Sequence, residues 1–333
     1  MKDIAVRVTN VEKTYRVSQR KQDLFGNIAN LFVPKYENVY AVKNIDFEIR
    51  KGEAVGFIGP NGAGKSTVIK MLSGVLYPDS GEINCMGYIP YKQREKYVSK
   101  IGAVFGQKSQ LIWELPLIDS FELLKKVYRV EEKIYQDNLK QFRELLELDA
   151  FINQPVRQLS LGQRMRGEIT AALLHSPELV FFDEPTIGLD VVAKDNVREF
   201  IKYINKEKGI TIFFTSHDMR DIELVCNRLM LIDQGRIIYD GSKDKLIHSY
   251  SKQKKVIIEF SDIYENVYYN GTTIMDVDKY RKEIFVSNYD EATNVINQMT
   301  NSYNVRDVSI QDVNVEQVVK QIYKKGMGQG VNI

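Results

Sequence analysis

The sequence has only two cysteines in 333 residues, Cys85 and Cys226. Two are too few for a disulfide framework or a four-thiolate metal site, and they read as buried thiols in a reducing compartment. Charge of one sign is also scarce: 46 Lys and Arg against 44 Asp and Glu leave a formal +2. That balance argues against a dedicated nucleic-acid binder, which carries a clear basic excess. No apolar run approaches the ~20 residues of a spanning helix. The opening MKDIAVRVTN lacks the apolar core of a signal peptide. Internal repeats and low-complexity tracts are missing as well. The expectation is a soluble, cytosolic chain in which any membrane role comes through a partner. What is present is ordinary for a globular protein, 44% hydrophobic and 27% charged residues, and this excludes wholesale disorder. At roughly 150 residues per domain the length predicts two domains.

Short runs apolar on both faces recur in the first two thirds: VGFIG at 55–59, LVFFD at 179–183, TIFFT at 211–215 and LMLID at 229–233. Continuous rather than alternating hydrophobicity marks strands covered by helices, as in a parallel α/β sheet. Residues 121–128, 134–148 and 163–174 carry apolar side chains at helical spacing. Near 240–245 the character changes. Beyond a lysine-rich 251–255, strands are expected at 256–260 and 283–286, with a hairpin turn at Asn270-Gly271. Ala292, Val295, Ile296 and Met299 then share one helical face, as do Val315, Val318, Val319 and Ile322. The reading is an α/β domain over 1–245 and a small α+β domain over 246–333 without an obvious catalytic cluster.

Gly59-Pro60-Asn61-Gly62-Ala63-Gly64-Lys65-Ser66-Thr67 matches G-x-x-x-x-G-K-[ST], directly after the VGFIG strand and before an apolar helix at 68–72. The glycines let backbone N–H groups turn inward around phosphates, and the helix adds its positive N-terminal end. Lys65 is expected to reach the β- and γ-phosphates of ATP, and Ser66 to ligate Mg²⁺. Further along, four apolar residues end in Asp183-Glu184. Such a strand delivers Asp183 to its C-terminal edge beside the loop, where it can hold Mg²⁺ through water. Glu184 is then placed to polarise the attacking water.

Leu159-Ser160-Leu161-Gly162-Gln163 opens a helix shortly before that strand. With this motif the chain resembles an ATP-binding-cassette (ABC) ATPase along roughly residues 1–245. The resemblance rests on several motifs in order. Besides the phosphate loop, Gln107 in Phe105-Gly106-Gln107 looks like the Q-loop glutamine, and Leu159–Gln163 like the signature sequence. Ile187-Gly188-Leu189-Asp190 looks like the D-loop, and His217 in Thr215-Ser216-His217-Asp218 like the switch histidine. It implies a P-loop cassette, a mixed sheet with a helical subdomain at about 110–175. Asn61, Gly62, Ala63, Gly64, Lys65, Ser66 and Thr67 would surround the nucleotide. Glu184, His217, Gln107 and Lys65 would be catalytic, and Ser66, Gln107 and Asp183 would hold Mg²⁺. Ser160, Gly162, Gln163 and Asp190 would close on ATP held by a second subunit, in a homodimer or related heterodimer. Leu161 departs from the family's usual glycine, so the contact is expected to persist with altered packing. A separate transmembrane permease is implied, met on the cytoplasmic face of the membrane. The segment Leu111-Ile112-Trp113-Glu114-Leu115-Pro116 holds the single Trp. It reads either as core packing or, preferred because aromatics anchor interfaces, as a docking groove for a helix of that partner.

The resemblance further implies an aromatic residue stacked on adenine. The strand ending Lys13-Thr14-Tyr15 selects Tyr15, whereas the usual spacing back from Lys65 selects Tyr36. Between this strand and the next, at 40–49, lies an insert over 18–35. Its Leu24, Phe25, Ile28, Leu31 and Phe32 would line one helical face. Packing on the cassette, lying at the membrane surface and touching the membrane partner are the competing readings. The insert is similar to a loop in ATPases of O-antigen and teichoic-acid exporters, which selects partner contact. The C-terminal portion is too short for the carbohydrate-binding sandwich of some of those exporters. It resembles instead the small appendages of drug- and antibiotic-exporter ATPases. The expected function is the ATPase subunit of an exporter. The alternative, a soluble ABC ATPase acting on ribosomes or nucleic acid, lacks its usual tandem cassettes, coiled-coil insertions or zinc motifs.

Overall fold

The computed structural model describes residues 4–18, 36–106, 108–250, 254–264, 267–269, 273–312 and 315–326. Gln107, the insert from 19 to 35 and the Asn270-Gly271 turn lie outside them. The chain divides into two compact units, Met1–Asp240 and Gly241–Ile333.

In the first unit, strands β1 (Ile4–Ser18), β2 (Tyr36–Arg50) and β3 (Ala54–Ile58) lead into helix α1 (Lys65–Leu72). Then follow β4 (Ser80–Cys85), α2 (Arg94–Val98) and β5 (Ile101–Phe105). A helical stretch holds α3 (Leu117–Tyr128), α4 (Glu132–Leu145) and α5 (Leu161–Leu173), with two short 3₁₀ turns before α5. The chain returns through β6 (Leu179–Asp183), α6 (Val191–Lys208), β7 (Thr211–Thr215), α7 (Met219–Val225), β8 (Arg228–Asp233) and β9 (Arg236–Ser242).

The apolar runs form one six-stranded sheet in the order β5-β6-β7-β3-β8-β9, with parallel pairing from β5 through β8. Every residue of β3 and β7 is buried, which accounts for their continuous hydrophobicity. Phe57 and Phe181 pack on Phe213 with ring centroids 5.1 and 6.1 Å away. Cys85 and Cys226 are buried and in no disulfide, and burial pushes the Cys85 thiol up to about 12.

Register positions the chemistry. Phe105 pairs with Asp183, and Asp183 with Thr215, so three chain-distant residues sit side by side at the C-terminal edge. That edge is where α/β sheets bind ligands, because the following loops and helix N-termini open there.

A second, antiparallel sheet, β2-β1-β4, packs its apolar face into the same core. Lys13 faces Val42 and Thr14 faces Tyr40, leaving Ala41 as an extra residue, a β-bulge. The expected strand at 40–49 begins earlier, at Tyr36, because the ladder continues outward through exposed residues until Ser18 pairs with Tyr36. Ser18 therefore closes the hairpin instead of opening the insert.

The second unit begins with α8 (Lys243–Tyr250), then β10 (Lys254–Phe260), β11 (Thr273–Asp276) and β12 (Arg281–Val286). After these come α9 (Tyr289–Ser302), β13 (Val305–Asp312) and α10 (Val315–Gly326). Its antiparallel sheet runs β11-β12-β10-β13. Ala292, Val295 and Met299 of α9 cover Val256, Ile258, Phe260, Ile284 and Val286. This core accounts for the apolar face expected there. Among the described residues no helix is long and apolar enough to cross a membrane.

Candidate active site

The loop between β3 and α1 turns at Gly64, which has φ 113° and caps the helix in the left-handed region. A methyl group there would also collide with the Ala41 carbonyl, which the β2 bulge pushes against the loop. Only glycine satisfies both constraints. Backbone bonds complete the cradle: Gly235 N–H donates to the Ala63 carbonyl at 3.0 Å, and Lys43 N–H to the Gly235 carbonyl at 2.8 Å. Lys65 is buried, and its Nζ donates to the Gly59 and Pro60 carbonyls at 2.6 and 3.2 Å. Burial lowers the Lys65 pKa, opposed by Glu184 and then Asp183. The ammonium therefore sits within the field of both acids.

A cleft of about 250 Å³ is lined by Ser66, Lys70, Phe105, Gly106, Lys108, Asp183 and Glu184, among others. Asp183 accepts from Thr215 Oγ1 at 2.8 Å, which orients the carboxylate across the strand edge. A serine hydroxyl with a single carboxylate is a hard oxygen donor set of the kind Mg²⁺ takes, keeping waters and substrate phosphates for its other positions. Ser66 and Asp183 fit that ion, which when bound would neutralise charge on the β- and γ-phosphates.

Glu184 adopts φ 56°, a left-handed conformation uncommon outside glycine. Its N–H donates to the Thr215 carbonyl at 3.1 Å. His217 Nε2 lies 2.6 Å from Glu184 Oε1. Gly106 makes room for the turn, since a Cβ there would stand 2.6 Å from the Glu184 carbonyl oxygen. Acid, histidine, lysine and loop thus share one edge, an arrangement suited to positioning a phosphate ester and deprotonating a water.

The signature residues lie elsewhere. Ser160, Gly162 and Gln163 do not line this cleft. Ser160 caps α5 by accepting from Gln163 N–H at 3.2 Å, and Gln163 Oε1 accepts from Ser160 N–H at 2.9 Å, a capping box. Asp190 caps α6 by accepting from Ala193 N–H at 2.8 Å. The two helix starts adjoin: a Cβ on Gly162 would lie 3.3 Å from that of Ala193. Leu161 packs against Gly188, its Cδ2 2.7 Å from where a Cβ would stand. The departure from glycine thus couples two motifs within one chain.

Tyr15 pairs with Val39, beside the bulge that touches the phosphate loop. Tyr36 lies about 10 Å further along β2 than Val39, at roughly 3.3 Å per residue, and is 64% exposed. In the segment expected to meet a partner, Leu111 is buried, whereas Trp113 is half exposed beside Arg164 of α5.

Two contributors were given no role by the motifs. Thr215 is set by register alone, though its place at the end of TIFFT was a faint signal. Glu168 of α5 is buried; its carboxylate accepts from the Ser109 hydroxyl and from Gln110 N–H at 3.2 Å. It grips the segment just beyond Gln107, and nothing in its neighbourhood of sequence announces that.

The ABC transporter family model matches residues 42–187. The linearmycin resistance ATP-binding protein LnrL of Bacillus subtilis is 38% identical over 205 residues, spanning 62% of this chain and 65% of that protein. The Nod factor export ATP-binding protein I of Cupriavidus metallidurans is 33% identical over 214 residues, 64% of this chain and 70% of that protein. The chain belongs to the ABC transporter ATP-binding family. A solved member, the ATP-binding cassette MJ0796 as a post-hydrolysis dimer with ADP and phosphate, superposes with a TM-score of 0.59. It is 27% identical, covering 71% of this chain and 98% of that one. As an ABC ATPase, the protein binds ATP and hydrolyses it.

Proposed function

We propose that this ABC ATPase drives export through a separate membrane subunit, working as a head-to-tail pair on the cytoplasmic face. Glu184 is the base that takes the proton of the attacking water. His217 orients Glu184 and faces the γ-phosphate. Lys65 and the loop N–H groups of residues 61–67 hold the phosphates, Ser66, Asp183 and Gln107 hold Mg²⁺, and Tyr15 stacks on adenine. Ser160, Gly162, Gln163 and Asp190 act on the nucleotide of the second subunit.

The observation that carries the hydrolytic assignment is the 2.6 Å Glu184–His217 contact beside Asp183 and the phosphate loop. Glu184→Gln is expected to abolish steady-state turnover while ATP binding survives; persistent turnover would show the base to be misassigned. Export is supported by relatives named for Nod factor export and linearmycin resistance. Half-exposed Trp113 offers the partner an aromatic anchor. Co-purification with a separate, hydrophobic membrane protein whose presence changes the ATPase rate would support the transport reading. Consistent isolation with ribosomes instead would overturn the transport reading. The second unit is read as support for the dimer or its regulation. Unchanged dimerisation, partner assembly and ATPase rate after truncation behind Lys245 would overturn that.

A further inference from the structure

Asp221 of α7 is fully buried, and its carboxylate is reached from three separate elements. Thr186 Oγ1 donates to Oδ2, and Ser216 Oγ donates to the same oxygen at 2.6 Å. Arg198 of α6, itself 3% exposed, donates from Nε to Oδ1 at 2.6 Å, with Nη2 also on that oxygen. The guanidinium extends to Asp195 at 2.7 Å and Asp218 at 3.3 Å, and Lys194 binds Asp218 at 2.8 Å. Ser216 Oγ accepts in turn from Asp218 N–H at 3.0 Å. A buried carboxylate with this many donors is satisfied, and removing one partner leaves a penalty on the rest.

The location gives the network its significance. Thr186 stands two residues after Glu184, and Ser216 immediately precedes His217. Asp221 therefore ties the loop after β6 to the loop after β7 and anchors both to α6. Glu184 holds a left-handed backbone, a conformation that persists only where the surroundings over-determine it. The Thr186–Asp221 bond is one such restraint on the following segment, as is the Ile187 N–H to Glu184 carbonyl bond at 3.3 Å.

We infer that Asp221 is a positioning residue for hydrolysis, holding Thr186 and Ser216 so that Glu184 and His217 meet at their 2.6 Å contact. The inference rests on the hydrolytic roles proposed for that pair. Displacement of a reacting group by about 1 Å can lower a rate on the order of 100-fold without weakening binding. Asp221 acts on turnover in this way, because ATP is gripped by a different loop.

The test uses Thr186→Val, near-isosteric and lacking only the donor, together with Ser216→Ala and with Thr186→Ser as the conservative rescue. Steady-state kcat and KM for MgATP, equilibrium ATP binding and Tm are measured on the full chain. Thr186→Val and Ser216→Ala should each lower kcat by about 10- to 100-fold with ATP affinity within about twofold of the parent. Thr186→Ser should restore kcat to within about twofold. Full kcat with only a lowered Tm, or kcat and ATP affinity falling together, would overturn the inference and leave a purely structural network. Glu184→Gln is run alongside. If it retains turnover, the underlying hydrolytic reading fails and the inference with it. If it is inactive while Thr186→Val runs at full rate, only the positioning inference fails.

Discussion

Glu184 Oε1 and His217 Nε2 stand 2.6 Å apart, joining the loop after β6 to the loop after β7. The carboxylate is therefore not a free rotor. Its backbone is held by Thr215 and one oxygen by the imidazole. Losing the imidazole should leave Glu184 present but poorly aimed. His217→Ala is expected to lower kcat by about 100-fold while ATP binding stays within about twofold, as for loss of an oriented acid–base partner. Single-turnover hydrolysis and equilibrium nucleotide binding check this; an unchanged rate would mean that the contact has no part in turnover.

Gly106 faces backbone, which cannot rotate away as a flexible side chain can. Gly106→Ala would place a Cβ 2.6 Å from the Glu184 carbonyl oxygen and 3.0 Å from Ile187 Cγ2. Overpacking of this kind costs about 1–3 kcal/mol. Because the displaced backbone belongs to Glu184, turnover should fall as well as Tm. Thermal unfolding and ATPase assays on the same preparation test the pair of effects, and normal values of both would contradict the close approach.

Glu168 links folding to pH. Burial raises its carboxyl pKa, against hydrogen bonds from Ser109 and Gln110 N–H. A raised carboxyl stabilises the fold when protonated. That contribution is fully present below the ordinary value of 4.5 and is lost as pH rises through the folded value. Glu168→Gln cannot ionise, so its Tm relative to the parent should climb from pH 4.5 towards neutrality. A difference that stays flat across this range would refute the sign.

The adenine contact separates two tyrosines by position. Base–aromatic stacking is worth about 1–3 kcal/mol per base. Tyr15→Ala should therefore raise the KM for ATP by about tenfold, whereas Tyr36→Ala, further out on the hairpin, should leave it unchanged. Equal effects, or an effect of Tyr36 alone, would transfer the assignment.

Local chemistry made much of the site legible. Residues 59–67 announce a phosphate loop because glycine, lysine and hydroxyl requirements fall within one turn between a strand and a helix. Asp183 is readable for a similar reason, as the end of an apolar run that can only be a covered strand. Ser160 is readable as a helix start, and it caps its helix. That Asp190 caps one too was not legible, since the sequence placed it only by resemblance. Gln107 and the insert's apolar face lie outside the described residues. The outward run of β1 and β2 to Ser18 and Tyr36 was not legible, since exposed residues in a two-stranded ribbon carry no burial pattern.

What the chain's own order determined, then, were features whose cause acts within a few residues: the phosphate loop, the strand ending at Asp183 and the helix start at Ser160. Tertiary structure alone decided which distant residues became neighbours. Sheet register set Thr215 beside Asp183, and a bulge at Ala41 pressed a carbonyl against Gly64. A buried carboxylate, Asp221, drew Thr186, Ser216 and Arg198 to one point. Such contacts arise because unpaired polar groups are costly in a packed interior, and the partner that satisfies each is chosen by the fold's geometry, not by proximity along the chain.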